Sequence, residues 1–243
     1  MGILASVLSV KIGRLLGKVY PLFLLGLGLL AYGLWLNRLG FYWDDFPLIW
    51  IARTYGAEGL ARYFSTNRPF WGLVYQATTP VLGADPTNWQ VFALGFRLAS
   101  GLLLWQLTRL AWPRHEETAR WAGALLVIYP GFSQQFISVV YGHMLLVLTA
   151  FLASQVLMIL ALRRAQSSLA LLALAWLASA VNLLCMEYYF LLDLARPVLI
   201  WAALSQTAAF AALAPKAKLR KTLMLELPFF LLLVGVTAWR TYG

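Results

Sequence analysis

Long apolar runs separated by short polar clusters set the organisation of this chain. Those at 18–38, 88–112, 139–162 and 222–240 are each long enough for a helix that crosses a ~30 Å hydrocarbon core, which takes about 20 residues. A fifth run, 121–129, stops at Pro130-Gly131, so it crosses only if Ala119 and Arg120 begin it and Phe132 to Phe136 finish it, giving 119–136. The stretch 168–206 is too long for one helix and too short for three. Asn182 and Glu187 interrupt it, and it reads as two helices, 168–186 and 188–208, with a tight turn near Met186. The pattern therefore predicts an all-α, polytopic membrane protein with about seven crossings, residues 1–243 forming one transmembrane domain without a soluble part. Between the first two spans lies a long loop, 39–87. Its run 68–83, bounded by Arg68-Pro69 and Asp85-Pro86, is too short to span and predicts an interfacial helix.

Composition agrees with this pattern. Hydrophobic residues make up 62% of the chain and charged ones 12%, far from the roughly 25% charged residues of soluble domains. Nineteen Lys and Arg stand against nine Asp and Glu. In a soluble protein that excess would suggest nucleic acid; in a membrane protein its distribution sets orientation instead. With seven crossings and an interfacial helix at 68–83, twelve of the nineteen basic residues fall on the amino-terminal side, in clusters around Lys11 to Lys18, Arg109 to Arg120, Arg163-Arg164 and Lys216 to Lys221. The amino terminus is then cytoplasmic, the first span is a retained anchor, and loop 39–87 is outside. The single Cys185 excludes a disulfide framework and a Cys-based metal site.

Orientation places the acids. Asp44, Asp45, Glu58, Asp85 and Glu187 come to the outer side, where the loop also concentrates aromatic residues. The adjacent pair in Phe41-Tyr42-Trp43-Asp44-Asp45-Phe46 needs a reason at the end of a spanning helix, and proton transfer, metal binding and cation capture are the plainest. Either residue also suits the amino-terminal cap of a helix that carries Pro47 early. Arg97, well inside its span, can snorkel outward or offer its guanidinium to an anion, and Arg68 reads equally as an interfacial anchor or as a contact to an anionic head group. Asp193 and Arg196, spaced i, i+3, predict an intrahelical pair inside the bilayer, and Glu187 is placed to pair with Arg97 or Arg240.

The order of these elements resembles the amino-terminal module of the GT-C glycosyltransferases: a first span, an aromatic-flanked Asp-Asp, a loop helix, Arg68-Pro69-Phe70-Trp71 opening a second interfacial helix, and a span with an internal Arg97. The likeness is greatest to the branch of the dolichyl-phosphate-mannose protein mannosyltransferases and aminoarabinose transferases. It implies an inverting transfer of a sugar from a polyprenyl-phosphate donor to an acceptor on the non-cytoplasmic side of a bacterial-type inner membrane. By the same likeness Asp44 is the catalytic base and Asp45 its partner. The chain departs from the family pattern in two places. The second Pro after Arg68-Pro69 is missing, and Tyr141-Gly142-His143 stands where the family carries an Arg-Pro-Asp-type group.

By this likeness substrate contacts are expected from Arg68, Arg97, Gln134, Gln135, Tyr141, His143 and Glu187; Gln134 and Gln135 suit sugar hydroxyls or ordinary loop solvation, and His143 a phosphate or a helix cap or interface position. No cofactor is required by this reading, although Asp44, Asp45 and Glu187 are candidate ligands for a divalent metal. The expected partners are the bilayer and the lipid-linked donor, not nucleic acid. Two other classes compete: a transporter or channel component, which predicts charges near the middle of several spans, and a non-catalytic scaffold subunit. The chain ends at Arg240-Thr241-Tyr242-Gly243 as a helix emerges, so the family likeness predicts a further carboxy-terminal part.

Overall fold

A computed structural model describes residues 17–129, 134–163 and 168–242. The basic positions Lys11, Arg14 and Arg164, and the break at Pro130 to Phe132, lie outside the described residues. Every described element is helical. Four helices are long and apolar enough to cross a membrane: α1 (Gly17–Arg38), α4 (Pro86–Ala111), α6 (Ser138–Arg163) and α11 (Pro215–Tyr242). A fifth span arises if α7 (Leu169–Cys185) and the segment Glu187–Leu204, bent by 118° at Met186, are taken together. The turn falls where Glu187 interrupts the apolar run.

The remaining elements are shorter. In the loop, α2 (Asp45–Phe64) and α3 (Pro69–Leu82) form a hairpin, α2 being broken at Gly56, whose φ of 69° no β-carbon residue adopts readily. Gly72 lets α3 cross α2 closely, because a Cβ there would lie 3.0 Å from the Ala61 Cα and the Phe64 Cβ. Expected crossing 119–136 is represented by α5 (Glu116–Ile128), which at thirteen residues is about 20 Å long. Beyond the bend at Met186 a short α8 (Phe190–Asp193) is followed by α9 (Arg196–Leu204) and α10 (Ala208–Ala211).

Named contacts fix the directions. Gln90 near the start of α4 donates to the Phe136 carbonyl just before α6, Ser100 meets Thr149, and Arg163 at the end of α6 donates to the Leu110 carbonyl at the end of α4. Helices α4 and α6 are therefore parallel. Residues 112–129 return along them, with Arg109 bonded to Glu116 and Arg97 to the Val127 carbonyl. Gly101 and Gly123 allow that return to lie close to α4: a Cβ on Gly101 would come within 2.5 Å of Val127 Cγ2. Helix α6 is apolar nearly all round and occupies the centre, with Val147 and Ile159 fully buried.

The bundle has two chemically different ends. Lys18, Arg109, Arg114, Arg120, Arg163 and the Lys216 to Lys221 cluster gather at the end where α4 and α6 finish. The α2–α3 hairpin, the bend at Met186 and the last turn of α11 gather at the other.

Candidate functional site

At the hairpin end the chain leaves α1 and turns through Tyr42-Trp43-Asp44-Asp45. Asp45 N–H donates to the Tyr42 carbonyl at 2.9 Å and Phe46 N–H to that of Trp43 at 3.1 Å. Trp43 adopts φ 46°, a left-handed conformation that costs a bulky residue about 1–2 kcal/mol. This turn sends the two neighbouring carboxylates in different directions. Asp44 is exposed at the start of α2 and makes no side-chain capping bond. Asp45 is fully buried and caps α6, not its own helix: its Oδ1 accepts from the Val139 and Val140 N–H groups at 3.0 and 3.2 Å. The expected cap thus exists, but at a helix 94 residues away in sequence. Burial pushes the Asp45 carboxyl up to about 6, and the amides of Val140 and Val139 pull back against that rise.

Asp44 lines a cavity of about 300 Å³ together with Arg68, Tyr63, Trp71, Tyr75, Tyr141 and Tyr188. Apolar side chains of Pro47, Leu48, Phe64, Val140, Met144 and Met186 complete it. Its walls come from α2, α3, the start of α6 and the turn after α7. Asp45 therefore sets one wall, because its bonds to Val139 and Val140 immediately precede Tyr141. Arg68 opens α3 and donates to Glu187, which also accepts from Arg240 Nη1 at 2.8 Å. One carboxylate thus ties the loop to the last turn of α11, and the contact with Glu187 holds the Arg68 guanidinium above its ordinary range. Tyr75, fully buried at the cavity floor, is pushed well above the usual phenol range by desolvation, with the Asp45 carboxylate adding to the rise.

The other expected contacts lie elsewhere. Arg97 is buried inside the bundle rather than snorkelling, and its Nε donates to Gln135 Oε1 at 2.6 Å while its guanidinium lies 4.2 Å from the Tyr32 ring centre. These bonds join α1, α4, α5 and the turn before α6. Gln134 is half-buried in that turn. His143 is fully enclosed by Trp71, Tyr75, Trp89 and Phe92, with 4.0 Å between its ring centre and that of Tyr75. Its Nδ1–H donates to the Val139 carbonyl at 2.6 Å, so Nε2 accepts from the Thr78 hydroxyl at 2.8 Å. Both ring nitrogens are used inside the fold. Of the expected contacts, Asp44, Arg68 and Tyr141 share the cavity, Glu187 adjoins it through Arg68, and Asp45, Arg97, Gln134, Gln135 and His143 are not among its lining residues.

Sequence reading missed Tyr63 and Tyr188 as lining residues. Tyr188 directly follows Glu187, but nothing local shows that the bend at Met186 turns it towards α2. Among the described residues no group of three His, Cys, Asp or Glu side chains is arranged to hold a metal ion. Asp45 faces the α6 amides and Glu187 two guanidiniums, so with Asp44 they do not form a donor set for a divalent cation.

No protein-family model matches this chain, and no curated protein or solved structure is significantly similar to it. Fold and composition give an all-helical chain with four or five helices apolar and long enough to cross a membrane, consistent with a multi-pass membrane protein.

Proposed function

We propose that the protein is a membrane glycosyltransferase of GT-C type, moving a sugar from a polyprenyl-phosphate donor to an acceptor hydroxyl at the hairpin end of the bundle. The observation that carries this reading is the single cavity into which the exposed Asp44 carboxylate and the Arg68 guanidinium both project, walled by aromatic rings. Asp44 takes the proton of the acceptor hydroxyl from ~2.6–3.2 Å as its oxygen bonds to the sugar C1. The bond from C1 to the phosphate oxygen breaks on the opposite side, inverting the centre. The electron pair leaves with the phosphate, whose charge Arg68 meets with paired N–H donors. Tyr63, Tyr141 and Tyr188 offer faces to the apolar side of a sugar ring and hydroxyls to its rim. Asp45 acts behind the wall by holding the start of α6.

The same reading takes α5 as one complete pass and the two arms of the bend at Met186 as two more, seven in all. It puts the basic end in the cytoplasm and the cavity outside a bacterial-type inner membrane. Asp44→Asn keeps size and polarity but cannot accept the proton. It is expected to lower sugar transfer from a lipid-linked donor by about 10²–10⁴-fold with unchanged membrane insertion, measured on reconstituted protein. Full activity in that variant would remove Asp44 from the chemistry and the reading with it.

A further inference from the structure

A second cavity, of about 430 Å³, lies at the basic end between α1 and α5, remote from Asp44. Its floor is rigid. Tyr20 is buried, donates its hydroxyl to the Arg120 carbonyl and packs on Trp105 with ring centres 4.7 Å apart, while Ala124 closes the far wall. Its rim is greasy and open: Phe23 is 53% and Trp121 61% exposed, both on faces that no other described helix covers. Polar groups occur at one end only. Arg120 lines the groove with a buried Nη1 that has no hydrogen-bond partner, and Glu117 stands one helical turn nearer the start of α5. No ion pair joins these two among the described residues.

An apolar trough ending in a half-buried guanidinium with one unpartnered nitrogen, among the basic residues of one end of the bundle, matches a lipid with an anionic head group. We infer that this groove binds one phosphatidylglycerol molecule, with an acyl chain along Phe23, Trp121 and Ala124 and its phosphate on Arg120. The head-group hydroxyls then donate to Glu117, which would repel a second phosphate. Charge complementarity selects this occupant. A zwitterionic choline head offers the same phosphate but adds a cation, which the surplus of basic residues at this end, Lys18, Arg109, Arg114 and Arg163 with Arg120, disfavours against a head of net negative charge. The inference is independent of the glycosyltransferase reading.

Native mass spectrometry of the detergent-purified full chain tests it, with phosphatidylglycerol and phosphatidylcholine as probes. The chain is expected to retain one phosphatidylglycerol about tenfold more readily than phosphatidylcholine, the size of one charge-assisted contact. Arg120→Gln should abolish that preference, and Ala124→Trp, which fills the trough, should release both lipids. Equal retention of the two lipids, or an unchanged preference in Arg120→Gln, would overturn the inference. Should Arg120→Gln not fold, vesicles of brominated phosphatidylglycerol or brominated phosphatidylcholine give a second readout. Tryptophan quenching is expected to be greater with the former, the excess vanishing in Trp121→Phe; equal quenching by the two lipids overturns the inference as well.

Discussion

Two acid–arginine arrangements lie at different depths of this molecule. At the hairpin end Glu187 is shared by Arg68 and Arg240, and its side chain remains 39% exposed. Deeper in the bundle Asp193 and Arg196 pair at 2.5 Å with 2% and 0% of their side chains exposed. The outer arrangement leaves a guanidinium at the edge of a cavity. The inner one uses its charge entirely within the fold: Arg196 also donates to Ser154 and Ser179 at 3.1 and 3.2 Å and lies 4.0 Å from the Phe229 ring centre. Those partners come from α6, α7 and α11, so one cation joins four helices around the break between α8 and α9. Enclosure of this kind marks a structural charge, and it weighs against the transporter reading, in which Asp193 and Arg196 would line an ion path.

The comparison breaks most readily at Arg196. Arg196→Ala leaves Asp193 buried beside Gln155 and Ser179 without a counter-charge, and removal of one partner of a buried pair costs about 3–5 kcal/mol. Reversible unfolding in mixed micelles should register that loss, and the double variant Asp193→Asn, Arg196→Met should recover much of it because neither member of the pair is then charged. If Arg196→Ala unfolds like the parent protein, the inner pair does not hold the helices together.

Asp45 offers a test of intermediate size, because it belongs to the cavity wall yet is buried like the inner pair. Its folded-state carboxyl titrates near 6, above the ordinary 3.8, so the folded protein holds this proton more tightly than the unfolded chain. Its contribution is therefore most favourable below the unfolded value and is lost as pH rises from about 4 through 6. A displacement of that size corresponds to about 3 kcal/mol. Asp45→Asn keeps an oxygen for the Val139 and Val140 amides and has no proton to lose. Stability of the variant relative to the parent should accordingly rise by about 2–3 kcal/mol between pH 4 and pH 7, followed by thermal unfolding at both pH values. A constant difference would show that Asp45 is not held in a desolvated state.

The long apolar helices were legible in the sequence because a run of about 20 apolar residues flanked by basic ones leaves few other readings. The four long apolar helices, the turn near Met186, the helix after Arg68 and the proximity of Asp193 to Arg196 all follow from local spacing, although that pair joins α8 to α9 across a break instead of lying within one helix. Partners distant in sequence did not follow. Asp45 reads as a cap for the helix it begins, yet the left-handed Trp43 turns it across the bundle to α6. Arg97 reads as an anion site because a lone cation in a span is costly, and the fold answers that cost with Gln135, the Val127 carbonyl and Tyr32. His143 carries no local sign that four aromatic residues enclose it. Polar residues in a membrane signal their cost through composition, but only the tertiary fold says whether a ligand or a neighbour meets it.

The smallest effect belongs to the outer bridge, and its dependence on salt separates it from the inner one. Glu187→Gln removes the shared carboxylate but leaves Arg68 and Arg240 within reach of water, which solvates both guanidiniums. The expected destabilisation is below about 1 kcal/mol. Exposed charges are screened over about 10 Å at 0.1 M salt, so raising the salt should shrink the difference between Glu187→Gln and the parent protein towards zero. The loss in Arg196→Ala should persist, because no counter-ion reaches a fully enclosed site. Urea unfolding of both variants at low and high sodium chloride measures the contrast. A salt-insensitive loss of several kcal/mol in Glu187→Gln would mean that the outer bridge is as enclosed as the inner one, and that the guanidinium of Arg68 is not free to meet a ligand in the cavity.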